Sequence, residues 1–454
     1  MGRRTTSGTK KKKHSHIFDQ INHNAGGIDA GAEYHYVAVP EGRDPIAVRR
    51  FSTSTYGLYE LADWLVKCEV DTVAVEATGV YCVPLLEVLD ARGIKVLLAK
   101  PSSLKSVNDR RKTDMVDCQW IQMLHTFGLL RASFRPAEQV AVLRTYVRQR
   151  RMLIEHASSS IEHMKKALTQ MNIRVDQAVS DVTGVTGMRI IRSILDGERD
   201  PEVLAAMRDE RCAKSAGAIA QDLTGKYSDD HLFELDQAIR TWDHFQAQIA
   251  ECDRKIEQQA GLFDKKASRE EIPKPRRREH VRKHVLAFAA REMFYEILGQ
   301  DLTQIDSLST GAVVTLLAEV GPSLNAFPTV KHFTSWLRTS PGSNQSGGKN
   351  KSGKNRNSTN RLATALRVAA QTLEKSKSAL GAFYRRMKAR LGPEKAINAA
   401  ANKLARMIYF TLTQNRPYID PGPDYYLQRN RNRIIKGMKK KASELGYELV
   451  PKPA

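Results

Sequence analysis

Cysteine is scarce in this chain. The five present, Cys68, Cys82, Cys118, Cys212 and Cys252, are scattered, and no Cys-x-x-Cys pair occurs. That excludes the usual zinc-ribbon and dithiol patterns. An odd, dispersed set reads as reduced, mostly buried thiols in a cytoplasmic protein. Long apolar runs are missing as well, and none comes near the ~20 residues that a membrane-spanning helix needs. The basic N-terminus (Arg3, Arg4, Lys10 to Lys13) has no apolar segment behind it, so it does not read as a secretory signal. Acid is the third shortage. Asp and Glu total 50 against 72 Lys and Arg, a formal net charge of +22. Such an imbalance points to a polyanionic partner. With no apolar span in the chain, nucleic acid is the better match and a membrane the poorer one. Between Glu319 and Glu374 there is no acidic residue at all, while Lys331, Arg338, Lys349, Lys351, Lys354, Arg356, Arg361 and Arg367 fall inside that window. A merely solvated face mixes signs, so this stretch reads as a phosphate-facing surface.

What is present divides the 454 residues into more than one core. Residues 1–24 are polar and basic and read as a disordered tail. Over 25–135 the hydrophobic pattern predicts β-β-β-α-β-α-β-α: three short alternating segments, then two βαβ units with "DTVAVEAT" and "IKVLLAK" as buried strands. That order describes an α/β, RNase H-like mixed sheet. Residues 136–260 read as a helical or coiled-coil domain. A helix without Gly or Pro covers about 137–172, and another covers 229–259 with Leu232, Leu235, Ile239, Trp242 and Phe245 at helical spacing. That stripe suits antiparallel helices, a coiled coil or simply the inner face of a helical domain. Residues 261–290 form a basic linker containing "PKPRRR", and 291–454 form a mostly helical C-terminal domain.

Four carboxylates stand where a nuclease of such a fold needs them. Asp29 lies in the first strand, Glu76 at the end of the first βαβ strand, and Asp114 and Asp117 three apart on one helix face. Singly, each has an ordinary reading as a turn, a cap or a first-turn helix charge. Gathered, they repel one another unless a cation neutralises them. Their hard oxygens suit Mg²⁺, which could activate an attacking oxygen and stabilise a leaving one at a phosphodiester. Arg110, Arg111 and Lys112 precede the helix, where they could meet the DNA backbone or be plain loop charge.

The segment "SPGSNQSGGKNKSGKNRNSTN" reads as a long polar loop leading into a helix near 359. Gly347 and Gly348 after Ser346 permit close backbone approach to a ligand, and Lys349, Lys351, Lys354, Arg356 and Arg361 could hold phosphate oxygens. A serine hydroxyl needs activation to act as a nucleophile. Ser346 is one candidate, and Ser340, Ser343, Ser352 and Ser358 compete with it.

At these residues the sequence resembles the IS110 family of insertion-sequence transposases, whose acidic domain is similar to the junction resolvase RuvC. The matching segments include "GIDAG", "VEATGVYCVPLLEVLDARG", "RRKTDMVDCQWIQMLHTFGLL", "TSWLRTSPGSNQSGGK" and "LGAFYRRMKARLGPEKAINAAANKLARMIY". The resemblance implies that Asp29, Glu76, Asp114 and Asp117 form a Mg²⁺-holding tetrad. It also implies that Ser346 attacks a DNA phosphate to form a covalent phosphoserine link. It further implies a dimer or tetramer, donor and target DNA as substrates, and a structured bridge RNA that pairs with both. The chain departs from the family where Ser307 and Ser309 stand among expected glycines, where Thr359–Asn360 replaces a Gly-Asn pair, and at Thr364. Two alternatives stay open: a metal-dependent nuclease or resolvase that uses the tetrad without the serine, and a basic nucleic-acid scaffold that catalyses nothing.

Overall fold

The computed structural model describes residues 19–76, 79–100, 104, 113–276, 284–340, 343–346, 349–352 and 360–450, without the side chains of 343–346, 349–352, 426, 427 and 430. The chain forms two compact units, Met1–Arg135 and Pro136–Ala454.

The first unit is built on a five-stranded sheet. Strands β1 (Ala25–Ala30), β2 (Tyr34–Ala38) and β3 (Val48–Ser52) form an antiparallel meander. Helix α1 (Thr55–Lys67) leads to β4 (Thr72–Glu76), and α2 (Cys82–Ala91) to β5 (Lys95–Ala99). The sheet order is β3-β2-β1-β4-β5, with β1–β4 and β4–β5 parallel. Helix α3 (Asp114–Thr126) completes the unit. This is the element order expected from the sequence, and it is the mixed sheet of an RNase H-like domain. Alternation decides the two faces. Ile28, Val37, Val73 and Val75 pack under α1 and α2. Ala74 and Ala99 pack under α3 with Ile121 and Leu124. Chain order begins before the predicted end of the tail: the amides of Ile21 and Asn22 both donate to the Thr126 carbonyl, at 2.9 and 3.0 Å.

The second unit is helical. Helix α4 (Glu138–Gln170) spans 33 residues, about 50 Å at 1.5 Å per residue. Four short helices follow: α5 (Val175–Ala178), α6 (Val185–Leu195), α7 (Pro201–Ala206) and α8 (Ala216–Leu223). Helix α9 (Asp229–Ala260) then returns antiparallel to α4, as the Gln139–Gln259, Arg150–Asp253 and Lys166–Glu234 contacts establish. The predicted apolar stripe lines this pairing. Leu235 and Ile239 are buried with Met164 and Leu168, and Trp242 and Phe245 pack beside Leu153 and Ala157.

The C-terminal part holds α10 (Ala290–Leu298), α11 (Thr310–Glu319), α12 (Val330–Trp336), a hairpin of β6 (Ser343–Ser346) and β7 (Lys349–Ser352), α13 (Arg361–Gln371), α14 (Ala379–Leu391), α15 (Pro393–Thr413) and α16 (Tyr425–Glu444). The described residues of the stretch expected as a basic linker are mostly exposed but bond to this unit. Lys266 donates its amide to the Glu296 carbonyl at 2.7 Å, and Arg276 pairs with Asp420 at 2.5 Å and Asp306 at 3.5 Å. Arg276 is thus engaged by protein carboxylates, while Arg277 and Arg278 lie outside the described residues. Among the described residues no helix is long and apolar enough to cross a membrane.

Candidate active site

The acidic edge is set by how closely α3 lies on β1. A Cβ built on Gly27 would stand 2.2 Å from the Gln122 nitrogen and 2.3 Å from the Cys118 carbonyl oxygen. Only glycine lets the helix backbone touch the strand there. The residues before β1 bond to the C-terminal end of α3, and Gly27 lies under its middle. The helix therefore runs antiparallel to β1, and its N-terminal turn comes to the strand end that carries Asp29.

Period two puts Asp29 on the α3 face with Gly27, and Glu76 on it with Ala74. Gly27 pairs with Ala74 and Ile28 with Val75 in the parallel ladder, so Asp29 and Glu76 are the next step beyond it, on neighbouring strands. Tyr36 is the antiparallel partner of Asp29 on the other side. Asp114 and Asp117 occupy the first turn of α3, where the Thr113 side chain caps the helix by accepting from the Val116 amide at 3.4 Å. The free amides and the helix dipole favour negative charge at that end. Asp29, Glu76 and Asp117 are half-buried and Asp114 is exposed.

Cys118 reports how close two of these acids come. Burial, then the charge of Asp29 and, more weakly, that of Asp117 push its thiol up to about 12. The Sγ–H donates to the Met115 carbonyl at 3.1 Å. A buried thiol pushed this far from ionisation is a poor nucleophile at neutral pH.

The donor set is all carboxylate oxygen, which suits a hard divalent cation, and strand register brings Asp29 and Glu76 side by side. As they stand, no three His, Cys, Asp or Glu among the described residues form a group that could hold a metal ion. Residues 77–78 and 105–112, which adjoin this edge in sequence, lie outside the described residues, and with them Arg110, Arg111 and Lys112.

The predicted serine loop contains a hairpin. Ser343 pairs with Ser352, Asn344 with Lys351, Gln345 with Asn350 and Ser346 with Lys349. Only Gly347 and Gly348 separate the last pair, and Gly-Gly between two runs is a two-residue hairpin signature. A reading on polarity and loop composition passes over it, because neither strand carries an apolar face. Ser346, Lys349 and Lys351 thus sit at its closed end, while Lys354, Arg356 and Ser358 lie outside the described residues. Arg361 is exposed at the start of α13, and its charge is near enough to add to burial in lowering the Arg144 pKa. Asn360 caps that helix by accepting from the Ala363 amide at 3.0 Å.

Sequence reasoning missed Asn402. Its Nδ2 donates to Thr339 Oγ1 at 3.3 Å and Ser340 Oγ at 3.2 Å, anchoring the start of the serine segment to α15. The periodic Asn398, Asn402 and Arg406 on that helix were the available signal.

Two family models match the chain. Residues 26–173 match a DEDD transposase domain of the IS110 type, and residues 299–385 match the Transposase IS116/IS110/IS902 family. The first covers all four acids and the second the serine hairpin, and together they take in just over half of the chain. No curated protein matches it. A DEDD transposase domain implies DNA substrates and dependence on a divalent metal. With the mixed sheet, its acidic edge and both matches in agreement, the chain belongs to the IS110 family of insertion-sequence transposases, enzymes that cleave and transfer DNA.

Proposed function

We propose that Asp29, Glu76, Asp114 and Asp117 hold Mg²⁺ at a DNA phosphodiester, and that the Ser346 hydroxyl attacks the phosphorus. The observation that carries this reading is the register of β1 and β4, which sets Asp29 and Glu76 side by side on the face covered by the Asp117 end of α3. When bound, the cation offsets the repulsion among the carboxylates and polarises the phosphate oxygens. The acids orient it. Ser346 forms an Oγ–P bond as one P–O bond of the backbone breaks, and the hydroxyl proton ends on the departing DNA oxygen. The bond count is conserved, so rejoining to a new strand needs no external energy source. Arg111, Lys112, Lys349, Lys351, Lys354, Arg356 and Arg361 grip backbone phosphates. The family resemblance supports a dimer or tetramer, a structured RNA that pairs donor with target, and action in the cytoplasm.

The test is a denaturing-gel assay for protein–DNA adducts, using the full chain, Mg²⁺ and DNA that carries the element's ends. Wild type and Ser358→Ala form the adduct, and Ser346→Ala does not. Asp29→Asn keeps DNA binding but loses strand transfer by about 10³-fold, roughly 4 kcal/mol of barrier. Strand transfer without an adduct in Ser346→Ala would move the protein to the metal-nuclease reading. Full activity in Asp29→Asn would end the metal-site assignment.

A further inference from the structure

Helix α16 is exposed along its whole described length apart from a half-buried Ala442. A 20-residue helix with so little packing draws little stability from the fold. Its sequence carries Arg429, Arg431, Arg433, Lys436, Lys439, Lys440 and Lys441 against one acid, Glu444. That acid reaches only Lys440, at 3.7 Å and in solvent, a weak pairing. Arg429, Arg433, Lys436 and Lys440 recur at i, i+4, i+7 and i+11. At about 100° per residue they fall within about 60° of one another, in a ridge about 16 Å long. The exposed apolar residues Ile434 and Met438 lie on the opposite side.

A second cation group adjoins the foot of this ridge. Lys403 and Arg406 stand three apart on α15, and Arg429 Nη1 donates to the Tyr425 hydroxyl at 3.4 Å. Burial lowers the Lys403 pKa, and the charges of Arg406 and Arg429 lower it further. Like charges from two helices thus lie within reach of one another. The residue before Lys403 is Asn402, which bonds to Ser340 at the start of the serine segment.

We propose that α16 and the Lys403–Arg406 face of α15 form a docking surface for the phosphate backbone of duplex DNA, separate from the cleavage chemistry. A helix with its side chains is about 10–12 Å across and the major groove of B-DNA about 12 Å wide, whereas that of A-form RNA is too narrow to enter. A duplex presents one phosphate charge per about 1.7 Å of axis. Four cations over 16 Å therefore find acceptors in any register and require no particular sequence. The inference rests on the family's action on DNA and not on the serine or metal chemistry.

The experiment measures binding of the full chain to a fluorescent 30-base-pair DNA of arbitrary sequence across a salt series. Replacing Arg429, Arg433, Lys436 and Lys440 together by Gln lowers the slope of log affinity against log salt by about 3 to 4, and weakens binding about tenfold or more. The Arg429→Lys/Arg433→Lys variant keeps the wild-type slope, because a phosphate grip needs charge rather than shape. Ile434→Gln/Met438→Gln stays within about twofold of wild type. A control replaces Lys166, Arg240, Arg254 and Lys255 by Gln; these are exposed cations of the long helix pair, and their loss costs much less. The proposal fails if the two quadruple variants lose equally, if the α16 variant keeps its slope, or if only binding of an RNA duplex is lost.

Discussion

The two units differ in how they hold particular carboxylates. The helical unit buries four acids, Asp253, Asp301, Asp306 and Glu319, and gives every one an arginine. Arg150 reaches Asp253 at 2.5 Å, Arg291 reaches Asp301 at 2.5 Å, Arg276 reaches Asp306 at 3.5 Å, and Arg148 grips Glu319 with two nitrogens at 3.0 and 2.9 Å. The sheet unit pairs Asp44 with Arg49 at 2.8 Å in the same way, but strand register sets the half-buried Asp29 and Glu76 side by side, and the charges of Asp29 and Asp117 both raise the Cys118 thiol. An acid matched one-to-one with an arginine pins backbone segments together. Acids gathered with one another cost stability, and such a gathering is kept for what it binds.

The largest test of that contrast is Asp253→Ala. Asp253 is 3% exposed; it receives Arg150 and the Ala287 amide, and Arg150 also donates to the His284 and Val285 carbonyls. Removing the acid strands a buried guanidinium between α4, α9 and the chain entering α10. Unfolding in urea should show a loss of about 3–5 kcal/mol, with activity of the remaining folded protein unchanged. Asp29→Asn should do the reverse, holding or slightly raising stability while strand transfer collapses. Equal destabilisation by both variants would erase the distinction.

How much of this could be read from residues alone depends on which force fixes each part. The sheet unit was legible because its strands are runs such as Thr72–Glu76, and alternation determines which side chains share a face. The apolar stripe of the second long helix was legible, but whether it paired with the first helix was left open. The hairpin was not legible, because Ser, Asn, Gln and Lys carry no periodic signal and only the Gly-Gly pair marks it. Nor were the arginines that pair with the buried acids, since partners such as Arg150 and Asp253 are 103 residues apart and nothing local links them. For the acids, the sequence supplied candidates and the approach of α3 to Gly27 supplied their arrangement.

Gly27→Ala tests that approach and should have the next largest effect. The new methyl meets helix backbone, not a flexible side chain, so α3 must lift from β1. Overpacking of this kind costs about 1–3 kcal/mol. The displaced helix carries Asp114 and Asp117 with it, so strand transfer falls further than the melting temperature implies. Cys118 gives an independent reading: alkylation under native conditions, negligible in wild type because the thiol titrates near 12, should become measurable. Wild-type stability together with an unreactive thiol would show that α3 does not rest on β1 as described.

The smallest effect lies in the helical unit, at Ser307. Ser307 adopts φ 73°, the left-handed region, and its buried Oγ has no hydrogen-bond partner in the structure. A non-glycine residue there bears about 1–2 kcal/mol of strain, and the unsatisfied hydroxyl adds to it. Ser307→Gly removes both. The unfolded chain also gains freedom, which takes back about 0.4–1 kcal/mol, so the net gain should be about 1 kcal/mol, seen as a small rise in melting temperature. Ser309 offers the internal control, because its side chain caps α11 by accepting from the Ala312 amide at 3.4 Å. Ser309→Gly forfeits that bond and should lower stability by a few tenths of a kcal/mol. Two serines in one segment should thus respond with opposite signs. If both substitutions stabilise, the cap is not formed; if both destabilise, the backbone at 307 is not strained.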